Sequence, residues 1–444
     1  MRLPDSVSQC LLALEGAGFP CYCVGGCVRD AVLGLTPHDY DLCSAATPAQ
    51  MKAVFAGRQL VLAGEKHGTV GVVTGEGVVE ITTFRTEGSY HDNRHPDRVE
   101  FVTDIQKDLA RRDFTVNAMA WSPIRGFADP FGGRTDLNTG ILRAVGDPAT
   151  RFQEDSLRIL RGVRFAVRYH LTPEPETETA MQEQAFLMDN LARERIFDEL
   201  CKLLPLVSAG DLLRFAPIFT QVIPELAPTL GFDQHTPHHA YDVFTHTAHV
   251  VEAVPGELSL RWAALLHDIG KVPAFTLDEA GRGHFSGHAG LSAAMADAIL
   301  HRLKAPTALR ERVVFLIGKH MIPLTPDRKL LRRRLSQYGE EALCQLLQLQ
   351  QADFESKGVP VDDPHFDEIR QLLSEILAEN ACLTVKDLAV NGHDLIALGI
   401  TGKAIGDTLN RLLDQVLEEE LPNEKRALLK AATEQKNRHL PHTT

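Results

Sequence analysis

The feature that most limits how this chain can fold is a change of pattern near residue 130. Strand signals are confined to the part before Asp129-Pro130-Phe131-Gly132-Gly133, and helical periodicity fills almost everything after it. Residues 19–24 form a short apolar run ending in Gly25-Gly26, and residues 28–35 follow with a helical pattern. Tyr40-Asp41-Leu42 sits in a second short strand candidate. Residues 70–74 and 78–84 are β-branched runs split by Gly75-Glu76-Gly77, which predicts a hairpin. Residues 85–110 are polar and read as a long mobile loop. Leu157, Ile159, Leu160, Val163 and Phe165 give residues 154–169 a helical period. The expected class is α+β, with strands and helices first and helices alone afterwards. Four regions are expected, at 1–140, 141–230, 235–355 and 356–444, the third rich in histidine and the fourth highly charged.

Composition narrows the function classes. The 444 residues suffice to bury cores without disulfide or metal staples. Apolar residues at 44% and charged residues at 24% are ordinary for a soluble globular protein. A net charge of −13 disfavours indiscriminate coating of nucleic acid but leaves room for a local basic surface. Eight cysteines are too sparse for a disulfide scaffold, and the clustered Cys21, Cys23, Cys27 and Cys43 read as small buried thiols. Met1-Arg2-Leu3-Pro4-Asp5 leads into no apolar signal core, and no apolar run reaches the roughly 18 residues of a membrane span. A reduced, cytoplasmic enzyme without a membrane partner is expected.

Gly25-Gly26 closes a strand and opens a helix. Glycine lets backbone approach a ligand closely, and a helix N-terminus offers free N–H groups to an anion. Arg29 lies one turn further on. Asp39 and Asp41 are two apart, so on a strand they share a face. Two carboxylates on one face call for a cation between them, and a pair of Mg²⁺ ions about 3.5–4 Å apart would drive in-line phosphoryl transfer. Glu80 is a candidate third carboxylate. A lone Asp-x-Asp is more often a solvated loop; the glycine pair, the helix and the arginine at fixed offset reverse that preference.

Gly25-Gly26-Cys27-Val28-Arg29-Asp30, followed by Asp39-Tyr40-Asp41, resembles the signature of the polymerase-beta-type nucleotidyltransferases. More narrowly it resembles the class II tRNA nucleotidyltransferases, the CCA-adding enzymes, and their poly(A) polymerase relatives. Arg111-Arg112-Asp113-Phe114-Thr115-Val116-Asn117-Ala118 matches a second motif of that family, which implies a triphosphate contact for Arg112. Glu154-Asp155-Ser156-Leu157-Arg158, continuing to Arg161 and Arg164, resembles its template motif: an acid and three arginines at steps of three along one helix. Cytosine and adenine both present an exocyclic amino donor beside a ring-nitrogen acceptor. A carboxylate accepts from the first and a guanidinium donates to the second, so Asp155 with Arg158 can select CTP and ATP. Guanine and uracil reverse the order and are rejected. Arg161 and Arg164 would hold sugar or phosphate, or brace the pair. Ala192-Arg193-Glu194-Arg195-Ile196 and Glu199 resemble a downstream motif with a bracing role. Asp92, Arg94, Pro96 and Val99-Glu100-Phe101 fall where the family has a flexible loop, which favours full CCA or terminal A addition.

Leu266-His267-Asp268-Ile269-Gly270-Lys271, with Pro237-His238-His239 and His246-Thr247 upstream, resembles an HD domain, a helical metal-dependent phosphohydrolase fold. The resemblance implies His246, His267, Asp268 and Asp353 as ligands of a divalent transition metal, with His288 and His320 available for a second ion. Taken together, these likenesses imply a head with a five-stranded mixed sheet over 1–140, a helical neck to 230, an HD body over 235–355 and a helical tail. They imply catalytic Asp39, Asp41 and Glu80 with Mg²⁺, nucleotide contacts from Gly25, Gly26, Arg29, Arg112, Asp155, Arg158, Arg161 and Arg164, and the tRNA 3′ end, CTP and ATP as partners. Two other readings stay open: a poly(A) polymerase or A-adding enzyme, and an HD phosphohydrolase whose head senses nucleotides. The basic stretch Arg328-Lys329 with Arg332-Arg333-Arg334 is either a solvated face or a tRNA phosphate track, which Lys425-Arg426 and Lys430 would extend. The oligomeric state is left open.

Overall fold

The computed structural model describes residues 1–88, 99–237, 240–359, 364–379 and 381–438. They form two compact units: Met1–Ala227 with Ile299–Ala305, and Pro228–Ala298 with Pro306–Thr444. Among the described residues no helix is long and apolar enough to cross a membrane.

The first unit holds the sheet. Its strands are β1 (Cys21–Val24), β2 (Asp41–Ser44), β3 (Leu60–Val61), β4 (Thr69–Thr74) and β5 (Gly77–Thr83), then β6 (Arg85–Glu87), β7 (Val99–Phe101), β8 (Ala120–Ser122) and β9 (Gly126–Ala128). The main sheet is mixed and runs β3-β4-β5-β2-β1-β8-β9. The hairpin signal at Gly75-Glu76-Gly77 is realised as antiparallel β4–β5, with Val70 opposite Ile81 and Thr74 opposite Gly77. β2 lies parallel to β5 and antiparallel to β1. The sheet has seven strands rather than the five expected. Four of the seven, β1, β2, β4 and β5, carry the strand signals of the sequence; the other three, β3 and the β8–β9 pair, are two or three residues long, too short to show an alternating pattern.

Within the stretch 85–110, the described residues 85–88 and 99–110 hold regular structure where a loop was expected. β6 and β7 pair, and the helix Ile105–Ala110 is capped by Asp104, whose side chain accepts from the Gln106 N–H. Asp92, Arg94 and Pro96 lie outside the described residues, as do His238 and His239.

The expected helix over 154–169 is two helices, Pro148–Glu154 and Leu157–Tyr169, broken at Asp155, whose backbone is extended. The Asp155 carboxylate accepts from the Leu157 N–H, the short-range bond that makes aspartate favour helix starts. The 157–169 helix is sealed to the sheet region through buried Phe114, whose ring lies 5.9 Å from Phe165 and 6.5 Å from Phe152. Gly162 makes that packing possible, because a Cβ there would lie 2.9 Å from Phe114 Cζ and 3.1 Å from Met181 Cε.

In the second unit the helices Val243–Ala253, Leu258–Leu266, Thr307–Lys319 and Glu340–Glu355 pack around fully buried Trp262, Leu316 and Leu346. A further apolar cluster joins Leu395, Leu412, Leu428 and Ala432 in the charged tail. The basic helix Arg328–Tyr338 is tied to acids of its own unit: Arg328 to Glu379, Arg332 to Glu419 at 3.0 Å and Arg333 to Glu418 at 2.7 Å. Three of its arginines thus have acid partners within the unit.

Gly162→Val is expected to destabilise the first unit by about 2–3 kcal/mol through overpacking against Phe114. A fall in the denaturant midpoint of a signal from that unit checks this.

Candidate active site

The first unit contains an open cavity of about 450 Å³ lined by Gly25, Gly26, Arg29, Asp41, Arg112, Asp155, Arg158 and Arg161, with Arg111, Asp113, Phe165 and Arg195 among its other walls. Gly25 leaves β1 with a left-handed φ of 68° and starts the helix Gly26–Val32. The positive φ requires glycine, and a Cβ there would come within 2.9 Å of Arg112 Nη1 and displace that guanidinium.

Asp41 is the first residue of β2, and the parallel register that sets Leu42 beside Ile81 places Glu80 next to it. Asp39 precedes the strand instead of sharing it, so the two aspartates are not an alternating pair on one strand face. The strand is shorter at its start than Tyr40-Asp41-Leu42 suggested. The wall around Asp41 nonetheless crowds it: burial raises its pKa, Arg112 pulls it down, and Glu80 and Asp39 push it up. Negative charges gather here with little relief, which is the setting a divalent cation satisfies.

The arginines are fixed before any anion arrives. Buried Asp108 holds Arg111 at 2.9 Å and Arg112 at 3.3 Å. Burial pushes the Asp108 carboxyl up, but the two guanidiniums outweigh it and hold it below its usual range. Arg29 donates to Asn117 Oδ1 at 2.5 Å, to Asp30 Oδ1 at 2.8 Å and to the Tyr169 hydroxyl at 2.5 Å. Arg161 donates twice to Asp113 Oδ2, at 2.9 and 2.7 Å. Burial pushes Asp113 up, yet Arg161 and Asn117 bring it down to about 2.

Asp155 and Arg158 face the same cavity but are not partners. Arg195 holds Asp155 at 2.9 Å. Arg158 donates to Glu154 at 2.6 Å and to the carbonyls of Arg151 and Arg111. Arg164 lies apart from the cavity lining, buried against Glu199 at 2.7 Å, so of its two expected roles the geometry shows the bracing one. Sequence reasoning missed Asp108, Asn117 and Tyr169. Asp108 left a local signal, three and four residues before the arginine pair, and Asn117 lies inside the Arg111–Ala118 motif without a role having been assigned to it. All eight cysteines are free thiols, and Cys21, Cys23, Cys27 and Cys43 are buried.

The second unit brings six ionisable side chains together. His246 Nε2 lies 3.0 Å from Asp353 Oδ1 and 3.6 Å from Asp268 Oδ2, and His267 Nε2 lies 3.2 Å from Asp268 Oδ2. On the other oxygen of Asp268, His288 Nε2 is 3.4 Å away, and it lies 3.2 Å from His320 Nε2. Each imidazole turns Nδ1 to a backbone carbonyl: His246 to Ser356, His267 to Ala264, His288 to Phe285 and His320 to Ile317. That fixes the tautomer in which the four Nε2 lone pairs converge. Burial lowers His288, and burial with nearby His267 takes His320 down to about 4, so both are neutral donors at neutral pH. Burial pushes Asp268 up, but His267 and Lys271, whose Nζ is 2.7 Å away, hold it well below its usual range. A cavity of about 580 Å³ opens over the cluster, lined also by Lys271, Phe285, Met321 and Lys357.

Comparison with known proteins agrees with the first unit's geometry. Residues 21–143 match the poly A polymerase head domain, 170–230 the probable RNA and SrmB-binding site of polymerase A, and 283–432 a putative tRNA nucleotidyltransferase domain 2. A CCA-adding enzyme of Ligilactobacillus salivarius is 42% identical over 243 residues, which are 52% of this chain and 60% of that protein. The CCA-adding enzyme of Streptococcus mutans is 33% identical over 96% of this chain and 97% of its own length. That of Limosilactobacillus fermentum is 35% identical over 96% and 95%. The Bacillus stearothermophilus CCA-adding enzyme in complex with CTP superposes with a TM-score of 0.70 at 27% identity, covering 99% of both chains. A similar fold, at a TM-score of 0.61 and 21% identity, is seen in the Thermotoga maritima CCA-adding enzyme complexed with tRNA. The glycine turn, the crowded carboxylates and the clamped arginines thus stand in a chain that belongs to the CCA-adding enzyme family of nucleotidyltransferases.

Proposed function

We propose that this chain adds C, C and A to the 3′ end of tRNA from CTP and ATP, with protein side chains in place of a template strand. The observation that carries this reading is that Asp155 and Arg158, each fixed by other partners, face one cavity with Gly25, Gly26, Asp41 and Arg112. Asp155 accepts from the amino group shared by cytosine and adenine, and Arg158 donates to the adjacent ring nitrogen. Arg195 keeps the carboxylate aimed, and Glu154 with two carbonyls keeps the guanidinium aimed. Uracil and guanine would leave buried donors facing donors, which is strongly disfavoured. Arg112 and Arg29 lie on the side of the glycine turn, where a triphosphate meets them as pre-set cations. Magnesium held by Asp39 and Asp41, with Glu80 alongside, would supply activation of the attacking hydroxyl and neutralisation of the departing pyrophosphate.

The sequence left A-only addition open. The base-reading chemistry is common to C and A, so product choice is settled by assay. Purified protein with tRNA lacking its 3′ end and each labelled nucleotide is expected to incorporate C and A and to reject U and G. Incorporation of A without C would replace this reading with the A-adding one. Asp41→Asn is expected to lower turnover by about 10³-fold or more with both nucleotides, as loss of a metal-holding carboxylate does. Full addition by that variant would move the head to a sensing role.

A second reading, of the other unit, is favoured by the four converging Nε2 atoms. His246, His267, Asp268 and Asp353 are proposed to hold a divalent transition metal, and His288 with His320 share the remaining oxygen of Asp268 for a second ion. The bound metal would supply a water-derived nucleophile for phosphoester hydrolysis. Elemental analysis is expected to find metal that His267→Ala removes, with CCA addition retained. A protein free of transition metal after reconstitution would end this reading.

A further inference from the structure

Tyr169 ends the 157–169 helix, because His170 turns left-handed there at a φ of 54°. Its ring lies under the Arg29 guanidinium, with Cζ 4.2 Å from the ring centroid. Its hydroxyl accepts from Arg29 Nη2 at 2.5 Å and donates to Asp30 Oδ1 at 3.2 Å. Asp30 Oδ1 in turn accepts from Arg29 Nε and Nη2, at 3.0 and 2.8 Å. One turn back on the same helix, Phe165 lies 5.4 Å below the same guanidinium. Arg29 is thereby held by two aromatic rings and by three oxygens, Asn117 Oδ1 being the third. Tyr169 itself stands outside the cavity lining, whereas Arg29 forms part of it.

We infer that Tyr169 is a positioning residue for nucleotide binding: it anchors the triphosphate-facing Arg29 to the C-terminal end of the helix whose N-terminal end reads the base. The inference rests on the reading of Arg29 as a triphosphate contact. An arginine samples many rotamers when free, and a stack plus a hydroxyl acceptor selects one. Because the anchor sits on the base-reading helix, the phosphate-binding and base-reading ends of the cavity keep one separation. That separation is common to CTP and ATP, since the two share ribose and triphosphate. Burial and Asp30 keep the phenol protonated against the pull of Arg29, so it remains a donor to Asp30.

Steady-state kinetics of C and A addition to tRNA lacking its 3′ end tests this with Tyr169→Phe, Tyr169→Leu and Arg29→Ala. Tyr169→Phe keeps the ring and loses the hydroxyl. It is expected to raise KM for CTP and for ATP alike, by about five-fold, the size of one lost hydrogen bond. Its kcat is expected to stay within about two-fold, the signature of lost binding common to ground and transition states. Tyr169→Leu is expected to raise both KM values further, because the stack is lost as well. UTP and GTP stay excluded in both variants. The proposal is overturned if Tyr169→Phe leaves both KM values at wild type while Arg29→Ala raises them, or if only one nucleotide responds. If Arg29→Ala also leaves KM unchanged, the triphosphate role of Arg29 fails and takes the proposal with it. Should Tyr169→Leu not fold, Tyr169→Phe decides alone.

Discussion

The site of the first unit depends on guanidinium–carboxylate pairing across the start of the 157–169 helix. Arg161 is locked to Asp113, Arg164 to Glu199, Arg158 to Glu154, and Asp155 to Arg195. Pairs of this kind lose desolvation energy on burial, so they are poor stabilisers in themselves. Their value is directional. For the buried Arg164–Glu199 pair, removing one partner would strand a charge in a low-dielectric wall at a cost of about 3–5 kcal/mol; the more accessible pairs restrict their side chains more weakly. A cavity walled by charges that cannot turn away is able to discriminate hydrogen-bond patterns. One walled by mobile charges would adapt to any base.

Much of this was legible in the sequence where the signal is local. The glycine pair, the β4–β5 hairpin and the arginine steps after Asp155 all lie within short windows whose periodicity or turn chemistry is specific. Glu80 was visible as a candidate, but its place beside Asp41 depends on β2 running parallel to β5, and no local pattern states which strands become neighbours. The pairing of Asn117 and Tyr169 with Arg29 was not legible, because Arg29 lies 88 and 140 residues away from them. The strand placement of Asp39 failed for a local reason: β2 begins only at Asp41, and a two-residue spacing implies a shared face only inside a strand.

The histidine cluster shows the opposite balance. Its six members come from five places along the chain, yet the sequence marked them through the adjacent His-Asp, the spaced histidines and the resemblance to an HD domain. What the sequence did not carry is the backbone carbonyl behind every imidazole. Each acceptor lies three residues before its histidine, except at His246, which uses Ser356 from across the fold. Three of the four ring orientations are thus set by the chain that delivers the histidine.

The break between Glu154 and Leu157 carries a consequence for how this region can vary. Asp155 points into the cavity because its backbone is extended at a point where one helix has ended and the next has not begun. Adding or deleting a single residue in that interval would put a neighbour of Asp155 at the extended position and displace the carboxylate from its place in the cavity wall. Chain length in this stretch therefore matters to the site as well as residue identity.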